Sequence, residues 1–556
     1  MRYYLIRMRP LALAALAAFS VPAPRGEPDQ TRAELRRLAG EGRLSDLRWP
    51  NFSSGRSGIA RFYETDGFAP VWVRAGAPTS QALALIQALE AAAEKGLDPE
   101  DYDAGRWATR LERLRSGAAN PSEVARFELA LTVSATRFAS DLRFGRVNRP
   151  GEDMAVWVRS QLVSASNPSI AIPAALSSIE PPFGGYRRAG QALALYRKLA
   201  SENQSGRLPE IRKPVRPGDS YPGLQSLAAL LRRLGDLAGT AEGVVTGETY
   251  SGAIVEAVRH FQQRHGLDAD GVIGSATLRA LNVPLSQRVQ QIELALERWR
   301  QLPHGFARPP IVINIPEFEL RAFDDSGRAA VRMKVVVGLA RGHRTPVFSA
   351  EMTHLIFRPY WDVPESIVRR ELLPNAAKDP EYFAKNHYEV VRTPSGGSRV
   401  RQAPGSDNAL GGVKFVFPNK FDVYLHATPA TVLFSKSRRD FSHGCIRVEK
   451  PEELAVWVLR DRPEWTRERI RAAMNGAEPV RVNLDAPIPV FIVYATALAG
   501  DNGAIRFFDD IYGYDASLER TLAAGRREWM DKIVLGSHLE KRRRQWNWNG
   551  SESKRT

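Results

Sequence analysis

Only one of the 556 residues is a cysteine, Cys445. With no second thiol the chain can form no internal disulfide, so its fold must rest on packed cores. Long apolar runs are also missing. The most apolar one, from Leu11 to Val21, is shorter than the roughly 20 residues that span a bilayer. Acidic residues are outnumbered, 62 against 78 Lys and Arg, which leaves a formal charge of +16 and favours anionic partners such as lipid head groups or wall polymers. No nucleic-acid-binding motif accompanies that charge, so nucleic acid is not expected as a partner.

The composition is 43% hydrophobic, enough over this length for three or four folding units, and the patterns alternate between helical and strand periods, predicting a multidomain α+β protein. Arg2, Arg7 and Arg9 flank the Leu11 to Val21 run, so residues 1–25 read as a secretory signal peptide. A lone thiol outside the cytoplasm then needs a reason, because exported proteins usually pair their cysteines or omit them.

Residues 26–216 read as a helical domain. A helix is expected from Ser80 to Lys95, stopped by Gly96, and another behind Asn120-Pro121, with Phe127, Leu131, Phe138 and Leu142 along its buried stripe. A compact three-helix unit follows at 217–286, built on Leu224, Leu227 and Leu231, then Ile254, Val258 and Phe261, then a helix capped by Ser275. A helix or linker occupies 287–307. From 308 to 500 the period changes to two: Ile311, Ile313 and Ile315, then Val331, Met333, Val335 and Val337, with further strands at 352–357, 413–417, 422–426 and 479–482. Residues 362–407 interrupt this β-rich domain as a capping insertion, and 501–556 form a C-terminal extension.

The stretch Phe441-Ser442-His443-Gly444-Cys445-Ile446-Arg447-Val448 gives the lone cysteine its reason. Read as a strand running into a turn, it puts residues 443, 445 and 447 on one face, so an imidazole and a guanidinium would sit beside the thiol and favour the reactive thiolate. Gly444 would admit a substrate carbonyl to the nearby amides. Upstream, Asp422, Tyr424 and His426 share a face by the same alternation.

Two resemblances join these patterns to known families. Tyr221 to Asn282 resembles a peptidoglycan-binding domain, through Ala257-Val258-Arg259-His260-Phe261-Gln262, His265-Gly266-Leu267 and Asp270-Gly271-Val272-Ile273-Gly274. His426 followed by Ser442-His443-Gly444-Cys445 resembles the signature of the L,D-transpeptidase catalytic domain. Asn314-Ile315-Pro316, Val336-Val337-Gly338, Thr345-Pro346-Val347, Pro359-Tyr360-Trp361, Asn408-Ala409-Leu410-Gly411 and Leu425-His426-Ala427-Thr428-Pro429 extend the match. Many shorter members carry Asn where this chain has Arg447; the scaffold, binding domain and cap resemble the larger periplasmic branch.

The resemblance implies that Cys445 attacks the third stem-peptide residue, releases D-alanine as a thioester acyl-enzyme forms, and passes the acyl group to an amine as a 3-3 cross-link. His443 or His426 takes the thiol proton, Ser442 orients an imidazole, and Gly444 serves the oxyanion. Arg447, Tyr424, Asn408 and Trp361 border the substrate. No cofactor or metal is implied. Stem peptides and glycan are the expected partners of a monomeric enzyme, with weak membrane-surface contact through Lys541-Arg542-Arg543-Arg544 and Trp546 and Trp548. A carboxypeptidase using water as acceptor and a non-catalytic wall-binding scaffold are the alternatives.

Overall fold

The computed structural model describes residues 27–116, 120–147, 154–202, 206–238, 247–393 and 396–532; the expected signal peptide and basic tail lie outside them. The chain divides into two compact units, one formed by residues up to 90, 99–138 and 153–175, the other by 91–98, 139–152 and everything from 176 onward. Among the described residues no helix is long and apolar enough to cross a membrane.

The first unit is helical: α1 Glu27–Glu41, α2 Arg56–Glu64, α3 Ser80–Glu90, α4 Trp107–Ser116 and most of α5 Pro121–Phe144. The start of α5 follows from its sequence, since the Asn120 carboxamide oxygen accepts the Ser122 N–H at 3.0 Å. Helix α3 is shorter than its period predicts; residues 91–95 tighten into a 3₁₀ turn before Gly96, which takes φ +70°. Inside this unit Glu128 accepts the N–H groups of Trp72 and Val73 at 2.7 and 2.8 Å. Burial pushes its carboxyl up to about 7, but Oε1 is committed to backbone and Oε2 to the Tyr63 hydroxyl at 3.2 Å, and it serves the core.

In the second unit α6 Gly184–Ser201 packs on α10 Leu285–Arg300 through Tyr186, Leu193, Ile292 and Leu296. Between them in sequence stands the three-helix domain, α7 Leu224–Arg233, α8 Ala253–Arg264 and α9 Ser275–Leu281, closed over Leu227, Leu231, Val258 and Phe261. Gly274, not Ser275, is the residue before α9.

The β-rich domain is one sheet curled on itself. Its strands are β1 Ile311–Asn314, β2 Glu319–Phe323, β3 Ala329–Gly338, β4 Phe348–Phe357, then β5 Trp361–Asp362, β6 Tyr388–Arg392 and β7 Ser398–Gln402 of the insertion. They are followed by β8 Val413–Val416, β9 Leu425–His426, β10 Asp440–Ser442, β11 Ile446–Val448 and, past two helices, β12 Val480–Val493. The order is β10-β3-β11-β9-β8-β4-β12-β1-β2, and β2 also pairs with β3, which closes the sheet around Ile313, Val335, Leu355, Phe415, Leu425 and Ile446. Closure removes most exposed edges and leaves the residues on β8, β9 and β11 rigidly registered.

Two expectations change here. The strand predicted over 422–426 shrinks to two residues, because Asp422 takes φ +53° and bends the chain before Tyr424. The interruption at 362–407 is a folded cap, with its own sheet in the order β5-β7-β6 and its own core of Val363, Ile367 and Leu372.

Candidate active site

Cys445 ends a tight turn between β10 and β11, at one end of the closed sheet. The turn is built by hydrogen bonds to backbone. Ser442 Oγ donates to the Cys445 carbonyl at 2.5 Å and accepts the Gly444 N–H at 3.1 Å, while Thr345 Oγ1 donates to the Gly444 carbonyl at 2.8 Å. Thr345 is held in turn, because its Oγ1 accepts the Gly338 N–H at 2.8 Å and its own N–H reaches the Tyr512 hydroxyl at 3.2 Å. Gly338 admits no side chain, since a Cβ there would meet the His343 carbonyl oxygen at 1.9 Å. Gly444 itself has φ +121°, a conformation that favours glycine.

That turn overturns the expected sharing of a strand face by 443, 445 and 447. His443 swings outward, where its Nε2 meets Glu371 Oε1 of the cap at 2.6 Å and its ring lies edge-on to His343 at 4.8 Å. Ser442 likewise orients no imidazole; its hydroxyl holds the turn. By taking the Gly444 N–H, it leaves the Cys445 amide as the nearer backbone donor for an oxyanion.

The second histidine is placed differently. Lys414 pairs with His426 across β8 and β9, and His426 pairs in register with Arg447 across β9 and β11. Paired residues on neighbouring strands project to the same side, so the three side chains form a cationic row with the imidazole in the middle. His426 is buried, and burial together with the flanking Arg447 and Lys414 charges pushes it down to about 3, so it rests neutral. Its Nδ1 lies 2.6 Å from the Ala427 carbonyl, an acceptor, so Nδ1 carries the proton and Nε2 keeps a free lone pair.

Tyr424 joins this row to the sulfur. Its ring lies 5.7 Å from that of His426, the Lys414 ammonium sits 3.8 Å over it, and its hydroxyl favours the ionised form of the thiol. Trp361, on β5 of the cap, favours the ionised form of the Tyr424 hydroxyl, although burial outweighs it and pushes that hydroxyl up. The thiol also reaches the Asp422 carbonyl at 3.7 Å. Burial pushes the Cys445 thiol above its ordinary value and outweighs the opposing influence of Tyr424 and Lys414. The resting pair is therefore neutral thiol and neutral imidazole, rather than the thiolate favoured by neighbouring charge that the sequence suggested.

Asn408 takes no place in this cluster. Its side-chain nitrogen donates to the Pro359, Gln402 and Ala403 carbonyls and its oxygen accepts the Leu410 N–H, so all its polar atoms pin the exit of the cap. Lys414, Thr345, Tyr512 and Glu371 were not found from sequence. Of these, Lys414, the second residue of an alternating strand, and Thr345, in the Thr345-Pro346-Val347 segment, carried a local signal.

With this geometry in place, comparison with known proteins is informative. Residues 308–482 match the model of the L,D-transpeptidase catalytic domain, 57–193 that of a scaffold domain, and 220–281 that of a "Putative peptidoglycan binding domain". Segment by segment, the chain is thus similar to an L,D-transpeptidase catalytic domain, a scaffold domain and a domain of the peptidoglycan-binding type. A Haemophilus influenzae protein named "Putative L,D-transpeptidase" is 31% identical over 249 residues, 42% of this chain and 50% of that protein, so the chain spans about half the length of this relative. A crystal structure of an L,D-transpeptidase from Stackebrandtia nassauensis aligns with 50% of this chain and 94% of its own at 13% identity and a TM-score of 0.22, a likeness too low to carry weight.

Proposed function

We propose that this protein is a periplasmic L,D-transpeptidase that joins peptidoglycan stem peptides through a thioester on Cys445. The observation that carries the reading is the Cys445–Tyr424–His426 cluster: a thiol whose ionised form the Tyr424 hydroxyl favours, and beside that tyrosine an imidazole whose tautomer leaves Nε2 able to take a proton. His426 is assigned as the base, because His443 points to the cap.

As the thiol attacks the carbonyl of the third stem residue, its proton passes to His426 Nε2 and a carbon–sulfur bond forms. The Tyr424 hydroxyl and the Lys414 and Arg447 charges stabilise the anionic sulfur, and the Cys445 amide faces the oxyanion. Collapse breaks the carbon–nitrogen bond, and the imidazolium returns its proton to the departing D-alanine amine. A side-chain amine of a neighbouring stem then attacks the thioester, restores the thiol through the same histidine, and leaves a 3-3 cross-link. This chemistry uses side chains and backbone amides alone. The three-helix domain would hold glycan near the site.

The test is to incubate purified protein with disaccharide-tetrapeptide and separate the products by mass. Cross-linked dimers lacking one D-alanine are expected; monomeric tripeptide alone would make water the acceptor, and unchanged substrate would falsify the enzymatic reading.

A further inference from the structure

We infer that the open groove leading to the nucleophile turn holds the sugar to which the donor stem is attached, with Phe441 and Leu339 against its ring. This contact makes sugar-linked stems better donors than free stem peptides. The inference rests on the transpeptidase reading above and concerns the part of the donor that lies beyond its peptide.

The groove has a volume of about 650 Å³, within the range of ligand sites. It is lined by Asp268 of the three-helix domain and by the segment from Ser435 to Phe441 that runs into the turn. Two large apolar side chains stand in it. Phe441 is 41% exposed although both of its neighbours, Asp440 and Ser442, are buried, and Leu339, whose N–H donates to the Ser442 carbonyl at 2.9 Å, is 42% exposed. Strand alternation explains why Phe441 points outward, but not why a solvent-facing position carries an aromatic ring. Apolar side chains scattered singly over a surface need no explanation, whereas two that line one concavity mark a place where something binds.

The charged residues decide between a peptide and a sugar. Two cations, Lys436 and Arg438, and two carboxylates, Asp268 and Asp440, line the groove, which is therefore neutral in a chain of formal charge +16. Arg438 is not open to an anion, because its Nε and Nη2 donate to the two oxygens of Asp440 at 2.7 and 2.9 Å. A stem peptide with its several carboxylates finds no net attraction here. A pyranose presents a face of C–H groups and a rim of hydroxyl groups. Apolar side chains beside the Ser437 hydroxyl and the Asp268 carboxylate match that pattern.

The walls are formed before any ligand arrives. Buried Arg439 donates to the carbonyls of Lys436 and Ser437 on one side and to those of Val335 and Phe318 on the other. Asp440 Oδ2 accepts the Ala340 N–H at 3.3 Å, which ties the segment carrying Phe441 to the one carrying Leu339. A site shaped in advance loses little ordering entropy on binding.

Reach agrees with this placement. The third stem residue and the two before it separate the thioester carbonyl from the sugar, about 10 Å of extended chain. Phe441 precedes Cys445 by four residues, so it lies no more than about 14 Å away, and nearer across the turn.

The test uses the full chain, no acceptor amine, and two donors, the free tetrapeptide and the disaccharide-tetrapeptide, and measures the rate at which each acylates Cys445. The native protein should favour the sugar-linked donor by about tenfold or more, the worth of one good aromatic contact. Phe441→Ala should lose that preference, slowing the sugar-linked donor while changing the free peptide less than about twofold, and Phe441→Tyr should keep it. Leu339→Ser should reduce the preference in the same direction. A native protein that acylates with both donors at equal rates would overturn the inference, as would Phe441→Ala slowing both alike. A Lys436→Gln variant that slows the free peptide as much as the sugar-linked donor would also overturn it, by making the groove a peptide site. Should Phe441→Ala fail to fold, the ratio in Leu339→Ser decides, since an unchanged ratio contradicts the assignment. A native protein that forms no adduct with either donor removes the transpeptidase reading itself, and that result is distinct from a lost preference.

Discussion

The two histidines of the motif sit in opposite settings. His426 is locked in the sheet, neutral, flanked by Lys414 and Arg447, with its Nδ1 bound to backbone. His443 is solvent-exposed on the outside of the turn and meets Glu371, a residue of the cap. In the proposed reading the chemistry is carried by the closed sheet, whose registered strands fix side chains closely, while the cap reaches the turn through Glu371. A hydrogen bond is worth about 0.5–1.5 kcal/mol net, too little on its own to hold a catalytic geometry.

The comparison can be broken by substitution. Cys445→Ala should abolish turnover entirely while leaving the melting temperature near that of the native chain. His426→Gln should lower kcat by about 10³-fold, within the range of a general base, whereas His443→Gln should cost less than about tenfold. The reverse ranking would move the base to the turn. Thr345→Val removes the hydroxyl that ties Gly444 to Gly338, and a loss of about 1–3 kcal/mol is expected in urea melts, together with lower activity.

Tyr424→Phe tests the environment of the thiol. Burial raises the Cys445 pKa and the Tyr424 hydroxyl opposes that rise. Alkylation by iodoacetamide should therefore increase with pH through and beyond the ordinary thiol range, and its midpoint should move to still higher pH in Tyr424→Phe. A midpoint moved to lower pH would contradict the influence assigned to Tyr424. Glu371→Gln should have the smallest effect, about threefold or less in kcat, with faster amide hydrogen exchange confined to residues 361–402.

Much of this was legible in the chain. The alternation of Ile311, Ile313 and Ile315 gave a strand because both neighbours bury one face of it, and Tyr424 and His426 keep the shared side that their spacing implies. The lone cysteine and its motif pointed to the candidate site. What failed did so for physical reasons. Gly444 takes φ +121°, and a turn at that residue cancels the period of two that put His443 beside the thiol. Asn408 was expected to border the substrate, yet its side-chain nitrogen is spent on backbone carbonyls, which periodicity cannot reveal. Thr345, Tyr512 and Glu371 reach the turn from distant segments, and only the closure of the sheet and the folding of the cap bring them together. Tyr512, in the segment read from sequence only as a C-terminal extension, also donates to the Gly338 carbonyl and so steadies the base of the site.

The central claim is that Cys445 carries the acyl group. Intact-protein mass spectrometry after brief exposure to disaccharide-tetrapeptide, with no acceptor amine present, measures it directly. The account predicts an adduct of the donor mass less one D-alanine, mapped to the peptide containing Cys445, released by hydroxylamine and absent from Cys445→Ser. D-alanine release with no adduct in the native protein under rapid quench, or the same adduct in Cys445→Ser, would contradict it.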